Sequence, residues 1–124
     1  MTDTYRIAPD TSLRAALAHL ERTGRGLAVI TDSNDVVTRT ITDGDLRRLI
    51  LAGYSLENPI SLVPERKPIT IPEDTSRVQA LEMMNTHELD HLPLVDSEGR
   101  LVDVYDRTTL SKHIYLSSPH MGDY

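Results

Sequence analysis

The sequence has no cysteine, no tryptophan and no phenylalanine, so five tyrosines supply all of its large aromatic side chains. Without cysteine there is no disulfide framework, no thiolate zinc site and no thiol nucleophile. Without Phe or Trp the core must come from Leu, Ile, Val, Ala and Met, which suits many short, evenly packed elements. No run approaches the roughly 18 apolar residues of a membrane span. Met1–Arg6 lacks the basic stretch and apolar run of an export signal, and the expectation is a cytoplasmic protein. Positive charge is also scarce, with 13 Lys and Arg against 19 Asp and Glu and a net charge of −6. That balance excludes a general nucleic-acid binder, which needs a basic face for phosphates. A small anionic ligand held by local groups stays compatible with it. No P-loop or dinucleotide-binding fingerprint occurs, and Ser12, Ser76 and Ser117 lack a partner His and acid at a spacing that would make a nucleophile. No catalytic residue and no metal ligand is assigned, and the chain is not expected to be an enzyme by itself.

What the sequence does contain is itself, twice. Across its 124 residues, 39% hydrophobic and 26% charged, Asp10-Thr11-Ser12 recurs as Asp74-Thr75-Ser76, a shift of 64 positions. The same shift carries Ala16-Leu17 onto Ala80-Leu81, Asp32-Ser33 onto Asp96-Ser97, Leu46 onto Leu110 and Ile50 onto Ile114, with no gap. Such self-similarity marks duplication of one structural unit. The expected organisation is repeat 1 over 1–53, a connection over 54–67 interrupted by Pro59 and Pro64, repeat 2 over 68–115, and a tail or linker over 116–124.

Each copy reads as helix, strand, strand, helix. Asp10-Thr11-Ser12 offers N-cap side chains before Leu13, Ala16, Leu17 and Leu20, an apolar stripe at helical spacing that stops near Gly24 and Gly26. Leu27–Ile30 follows as a buried strand, Ser33-Asn34-Asp35 as a turn and Val36–Ile41 as a second strand. Asp43–Leu51 is the second helix. The second copy predicts a helix over Thr75–Asn85, strands over Leu92–Val95 and Leu101–Tyr105, and a helix near Arg107–Ile114.

His87-Glu88-Leu89-Asp90-His91 has the His-Glu-x-x-His form of a zinc protease. That chemistry requires both histidines on one face of a continuous helix. The repeat maps these positions onto Thr23-Gly24-Arg25-Gly26-Leu27, where two glycines end a helix, and Pro93 follows at once. The segment is expected to be a helix-to-strand turn, with His91 opening the strand.

The residues that can carry function lie in Thr40-Ile41-Thr42-Asp43-Gly44-Asp45-Leu46-Arg47-Arg48. A strand that ends on a hydroxyl and runs into a helix aims unpaired N–H groups and the positive helix end at whatever lies there. Asp45 can accept hydrogen bonds from two vicinal hydroxyls, as acidic residues do for ribose in other nucleotide folds. Thr-x-x-Asp is equally a capping box, in which each side chain satisfies the other's backbone N–H. Both readings stand at this point.

With these residues in place the sequence resembles a tandem pair of cystathionine-β-synthase (CBS) domains, a Bateman module. The likeness rests on the duplicated pattern, on Thr42-x-x-Asp45 and on His91-Leu92-Pro93-Leu94-Val95-Asp96, and covers about Ile7 to Ile114. Thr42-Asp43-Gly44-Asp45-Leu46-Arg47-Arg48, with Ser55–Ile60 after it, is further similar to CBS pairs attached to sugar-phosphate nucleotidyltransferases. The same Thr-Asp-Gly-Asp-Leu-Arg-Arg also occurs in pairs attached to sugar-phosphate isomerases. The resemblance implies an α/β fold of two pseudo-twofold-related repeats and a homodimer through the CBS pairs. The tail Tyr115-Leu116-Ser117-Ser118-Pro119 reads as a linker, so a catalytic domain is expected C-terminal to this segment. The resemblance implies no required cofactor but an adenosine ligand, AMP, ADP or ATP, in a cleft between the repeats. There Thr42 would contact phosphate or ribose, with Thr40 beside it, and Asp45 the ribose hydroxyls. Ile7, Ala8 and the backbone of Gly26–Ala28 would hold the base. On charge balance, phosphates in an acidic domain need Arg25, Arg47, Arg48 or a metal ion nearby.

Departures shape the expectation further. The family's glycine three residues before the motif Thr is Arg39 here and Asp103 in the second copy; the two are either an ion pair or unrelated. Copy two has Asp106-Arg107-Thr108-Thr109 in place of the motif. Asp106 can cap a helix, but it would repel phosphate, and Thr109 cannot chelate a diol. A second site built from Asp106, Thr109 and His91 is therefore expected to be degenerate. In an acidic chain fewer phosphates are easier to hold, which ranks AMP and ADP above ATP, with S-adenosylmethionine behind. Tyr5, Tyr54, Tyr105, Met83 and Met84 are expected in the core or a dimer contact.

Overall fold

Ser12 and Ser76 sit 64 positions apart and do the same work. Each is an extended N-cap residue whose hydroxyl accepts from the backbone N–H three residues on. They open helices α1 (Leu13–Thr23) and α3 (Arg77–His87), which a computed structural model describing residues 4–64 and 67–117 places at matching points of two repeats. Repeat 1 continues through β2 (Leu27–Thr31), β3 (Val37–Thr42) and α2 (Asp43–Leu51). Repeat 2 continues through β5 (His91–Val95), β6 (Leu101–Asp106) and α4 (Arg107–Ser117). The mixed α/β architecture of two helix-strand-strand-helix repeats is thus the one expected. Each repeat also has a leading strand of two residues, β1 (Arg6–Ile7) and β4 (Ile71–Pro72). The pairing within each sheet is the same, parallel for Ile7 on Ile30 and Ile71 on Leu94, then antiparallel to the third strand.

All five residues of β2 are buried, because the strand is covered on both faces. Ala28 and Ile30 point to the first core with Leu13, Ala16, Leu20, Ile41 and Leu46. Leu27 and Val29 point the other way, onto Leu101, Val104 and Tyr5, and so join the two repeats. Met84, Leu92, Leu94 and Leu110 fill the second repeat's core. The hairpin tips meet as well, with Val37 N–H donating to Gly99 O (3.0 Å) and Leu101 N–H to Asp35 O (3.1 Å).

The connection is packed rather than loose. Ile60, in a single 3-10 turn, and Val63 are buried in the first core, and Arg39 donates to the Pro64 carbonyl. That contact decides the fate of the Arg39–Asp103 pair. Asp103 accepts from the Val104 N–H, and no ion pair joins it to Arg39 among the described residues. Helix α4 runs to Ser117, so residues 116 and 117 of the expected tail are helical, while 118–124 lie outside the described residues. Tyr5 and Met84 are buried, and Tyr54, Tyr105 and Met83 pack partly buried against the cores.

Candidate ligand-binding site

The zinc-protease form is broken by one residue. Helix α3 ends at His87, and Glu88 takes left-handed backbone (φ 55, ψ 48). His91 then opens β5. The two histidines therefore do not share a helical face, and the segment is a helix-to-strand turn.

This turn forms one wall of a cavity of about 570 Å³ between the repeats. The opposite wall is the β3–α2 junction, with Thr40, Thr42, Asp43, Gly44 and Asp45, while Gly26, just before β2, and Leu27, its first residue, also line it. Lys67, Pro68 and Ile69 contribute from the segment before β4. Thr42 and Asp45 form a complete capping box, Asp45 N–H to Thr42 Oγ1 at 3.2 Å and Thr42 N–H to Asp45 Oδ2 at 2.9 Å. Asp45 Oδ1 receives Arg48 Nη2 at 2.7 Å. Burial alone would push the Asp45 carboxyl up. The Thr42 N–H, the Arg48 guanidinium and the Thr42 hydroxyl outweigh it, so the pKa lies below the ordinary carboxylate value. Gly44 matters by its size, since a Cβ there would lie 3.4 Å from Arg48 Nη1 and 3.8 Å from Thr42 Oγ1. It would fill the space between the cation and the hydroxyl.

The expected site residues divide. Thr40, Thr42, Asp45 and Gly26 line this cavity, and so does His91, which the sequence pattern assigns to the second site. Ile7 and Ala28 are buried in the first core, Ala8 is exposed, and none of the three lines the cavity. Arg47 is exposed and away from it, whereas Arg48 lies on it. The reason is helical geometry, because a residue three positions after Asp45 shares its face and one two positions after does not. Lys67, Pro68, Ile69, Glu88 and Asp90 were not expected. They carry no local signal, and only the docking of repeat 2 brings them here.

A second cleft of about 310 Å³ is lined by Tyr5 and Arg25 from repeat 1 and by Asp103, Asp106 and Thr109 from repeat 2. Here Asp106 Oδ1 caps α4 by accepting from Thr109 N–H at 3.0 Å. Burial raises the Tyr5 hydroxyl pKa; Arg25 opposes this, and Asp106 and Asp103 add to it.

Two repeats of β-β-α built around a preceding helix, meeting in a pair of clefts, define the class of this protein. A family model of the CBS domain matches residues 1–52 and again 60–116, and the chain belongs to the CBS domain family. Arabinose 5-phosphate isomerase KdsD of Yersinia pestis is 36% identical over 101 residues, 81% of this chain and 31% of that protein. Arabinose 5-phosphate isomerase GutQ of Salmonella typhi is 35% identical over 91 residues, 73% of this chain and 28% of that protein. The chain thus spans about a third or less of the length of these curated relatives. It corresponds to the CBS region of larger enzymes, a regulatory and not a catalytic part. Of the two enzyme classes expected, these relatives are of the isomerase class. Among solved structures, CBSX2 in complex with AMP superimposes with a TM-score of 0.76 at 20% identity, covering 90% of this chain and 87% of that one. The CBS domain protein PAE2072 of Pyrobaculum aerophilum, complexed with AMP, gives 0.74 at 19%, covering 97% and 92%. At these identities the likeness is one of fold. Among the described residues no helix is long and apolar enough to cross a membrane.

Proposed function

We propose that the chain is a regulatory module that binds an adenine nucleotide in the cavity between its repeats and modulates an attached sugar-phosphate enzyme of the isomerase class. One observation carries the reading: the Thr42–Asp45 pair opens at the N-terminus of α2 onto a cavity of about 570 Å³ walled by the other repeat. That volume lies within the usual range for small-ligand sites. The AMP complexes of two proteins of this fold support the ligand class.

The residues suggest an exchange. Arg48 holds Asp45 Oδ1 and is otherwise largely exposed. A ribose diol arriving at Asp45 displaces the guanidinium, which then turns to meet the phosphate, together with Lys67 and the N–H groups at the start of α2. Asp43, Glu88 and Asp90 also line the cavity, and each added phosphate meets their repulsion, which orders the ligands AMP and ADP before ATP. The module pairs with a second copy, and Leu51 (82% exposed) and Leu62 (61%) offer apolar surface for it.

The complete capping box supports a second reading, a structural dimerisation module in which Thr42 and Asp45 only cap α2. Thermal unfolding with AMP, ADP, ATP and S-adenosylmethionine separates the two. A bound nucleotide at about 100 times its dissociation constant adds roughly 2.7 kcal/mol, a rise on the order of 10 °C. The sensor reading requires that rise and its loss in Asp45→Ala. No shift with any ligand, beside a lower melting point in Asp45→Ala, leaves the structural module.

A further inference from the structure

Asp43 and Arg107 hold the same place in the two repeats, 64 positions apart. Asp43 lines the first cavity, whereas Arg107 lines neither cleft. The Arg107 guanidinium turns back onto the end of α3 and the turn that follows it. Nη2 donates to Leu89 O at 2.7 Å, Nε to Asp90 Oδ1 at 3.2 Å, and the group also reaches Asn85 Oδ1. The Arg107 backbone N–H donates to Asp90 O at 2.8 Å. In repeat 1 the corresponding turn is Gly24-Arg25-Gly26, with both glycines left-handed at φ 63 and φ 78. In repeat 2 it is Glu88-Leu89-Asp90, where a left-handed Glu88 is costly, so the turn depends on ties from elsewhere. The exchange of glycine for acid also changes the charge of the cavity. Four carboxylates line it, those of Asp43, Asp45, Glu88 and Asp90, against the cations of Arg48 and Lys67. Arg48 is already engaged with Asp45 at 2.7 Å. Arg107 stands behind the wall as a third cation, the more sheltered partner of its pair at 30% exposed against 80% for Asp90.

We propose that Arg107 is a positioning residue for the first cavity, acting through Asp90, and that this pair sets how much negative charge a ligand there can carry. The inference rests on the nucleotide reading above. With Arg107 in place, Asp90 presents an ion pair to the cavity, whose field falls off faster than that of a lone charge. Without Arg107 a full negative charge faces the ligand's phosphates, and the Coulomb repulsion grows in proportion to the ligand's own charge. Solvent screening keeps the effect modest at so exposed a carboxylate. Adenosine, which carries no phosphate, is indifferent to it.

The test is calorimetric titration of the whole chain with adenosine, AMP and ATP, free of divalent cations and at low ionic strength. Arg107→Gln removes the charge and keeps a side-chain donor for the Leu89 carbonyl. Arg107→Lys keeps the charge and loses the planar fork. Asp90→Asn removes the carboxylate, alone and joined to Arg107→Gln. Expected in Arg107→Gln is about a threefold loss of AMP affinity, the scale of one exposed ion pair, a larger loss for ATP and none for adenosine. Arg107→Lys retains the native ratio of AMP to adenosine affinity although it is less stable. Asp90→Asn alone strengthens AMP binding, and in the joined variant the ratio returns to the native value. These differences shrink in about 1 M salt, where the screening length is roughly 3 Å. A purely structural role weakens all three ligands alike, leaves Arg107→Lys no better than Arg107→Gln and is not relieved by Asp90→Asn, and that result overturns the proposal. So does an unchanged ratio of AMP to adenosine affinity in Arg107→Gln. If the native chain binds none of the three, the nucleotide reading itself falls and takes this proposal with it, an outcome distinct from native AMP binding that the variants share.

Discussion

Gly24 and Glu88 hold the same place in the two repeats, and both adopt left-handed backbone, φ 63 and φ 55, to end α1 and α3. In each case the N–H closes the helix onto the carbonyl four residues back. The turn is a requirement of the fold, since it must release the chain into the central strand of each sheet. Only one copy meets it with the residue suited to it, because a Cβ makes this region costly. Glu88→Gly is expected to stabilise the chain by about 1 kcal/mol, raising the melting temperature by a few degrees. Gly24→Ala should do the reverse by a similar amount, with no steric contribution, as nothing lies within 4 Å of the added Cβ. Differential scanning calorimetry of both variants checks the pair.

Asp45 links stability to acid. Its folded pKa lies below the ordinary value, so its contribution is present above the unfolded carboxyl pKa and is lost as pH falls through the folded one. Asp45→Ala should cost about 1 kcal/mol near neutral pH, the scale of a lost cap. Urea unfolding curves of the native chain and the variant should draw together as pH is lowered below the ordinary carboxyl value of about 3.9. A constant gap across that range would show that the carboxylate charge contributes nothing.

Arg107 fixes the turn through a planar fork that reaches Leu89 O, Asp90 and Asn85 at once. Arg107→Ala leaves the Leu89 carbonyl without its partner, and a loss of about 1–3 kcal/mol is expected. Arg107→Lys recovers little, since a point charge cannot span those acceptors. Amide hydrogen exchange should quicken at residues 88–91 in both variants before it changes in β2.

Restoring the motif in repeat 2 tests the trade between the two clefts. Asp106→Thr with Thr109→Asp rebuilds the Thr-x-x-Asp chemistry of repeat 1, and the AMP stoichiometry is expected to rise from one toward two per chain. The same change removes the Asp106 carboxylate from beside His91, so the first site should weaken as the second appears. Equilibrium dialysis with AMP gives both numbers; an unchanged stoichiometry counts against the second cleft as a latent site.

The repeat and its elements are legible in the sequence to within about three residues because their signals are local. Ser12 and Ser76 each cap the first turn of the helix they precede, and the apolar stripe of α1 is a helical period. The strands β1 and β4 are invisible there, since two residues carry no period at all. Of the neighbouring Arg47 and Arg48, only Arg48 lines the cavity, because Asp45 and Arg48 share one face of α2. Ala28 stays off the cavity lining for a different reason. β2 is buried on both faces, and its alternation decides that Ala28 faces α1 and Leu27 faces repeat 2.

Sequence alone determined that this chain is a duplicated unit, that Thr42 and Asp45 sit at a strand-to-helix junction, and that His87 and His91 are split by a turn. Each of these rests on forces acting over a few neighbouring residues. Which distant segments share a cavity was decided only by tertiary structure. The apolar faces of β2 and β6 must be buried against each other, and that docking brings the turn after α3 opposite Thr42. The same pairing of β5 with β6 sets Asp106 against His91. No local rule links positions 91 and 106; burial of the strands that carry them does.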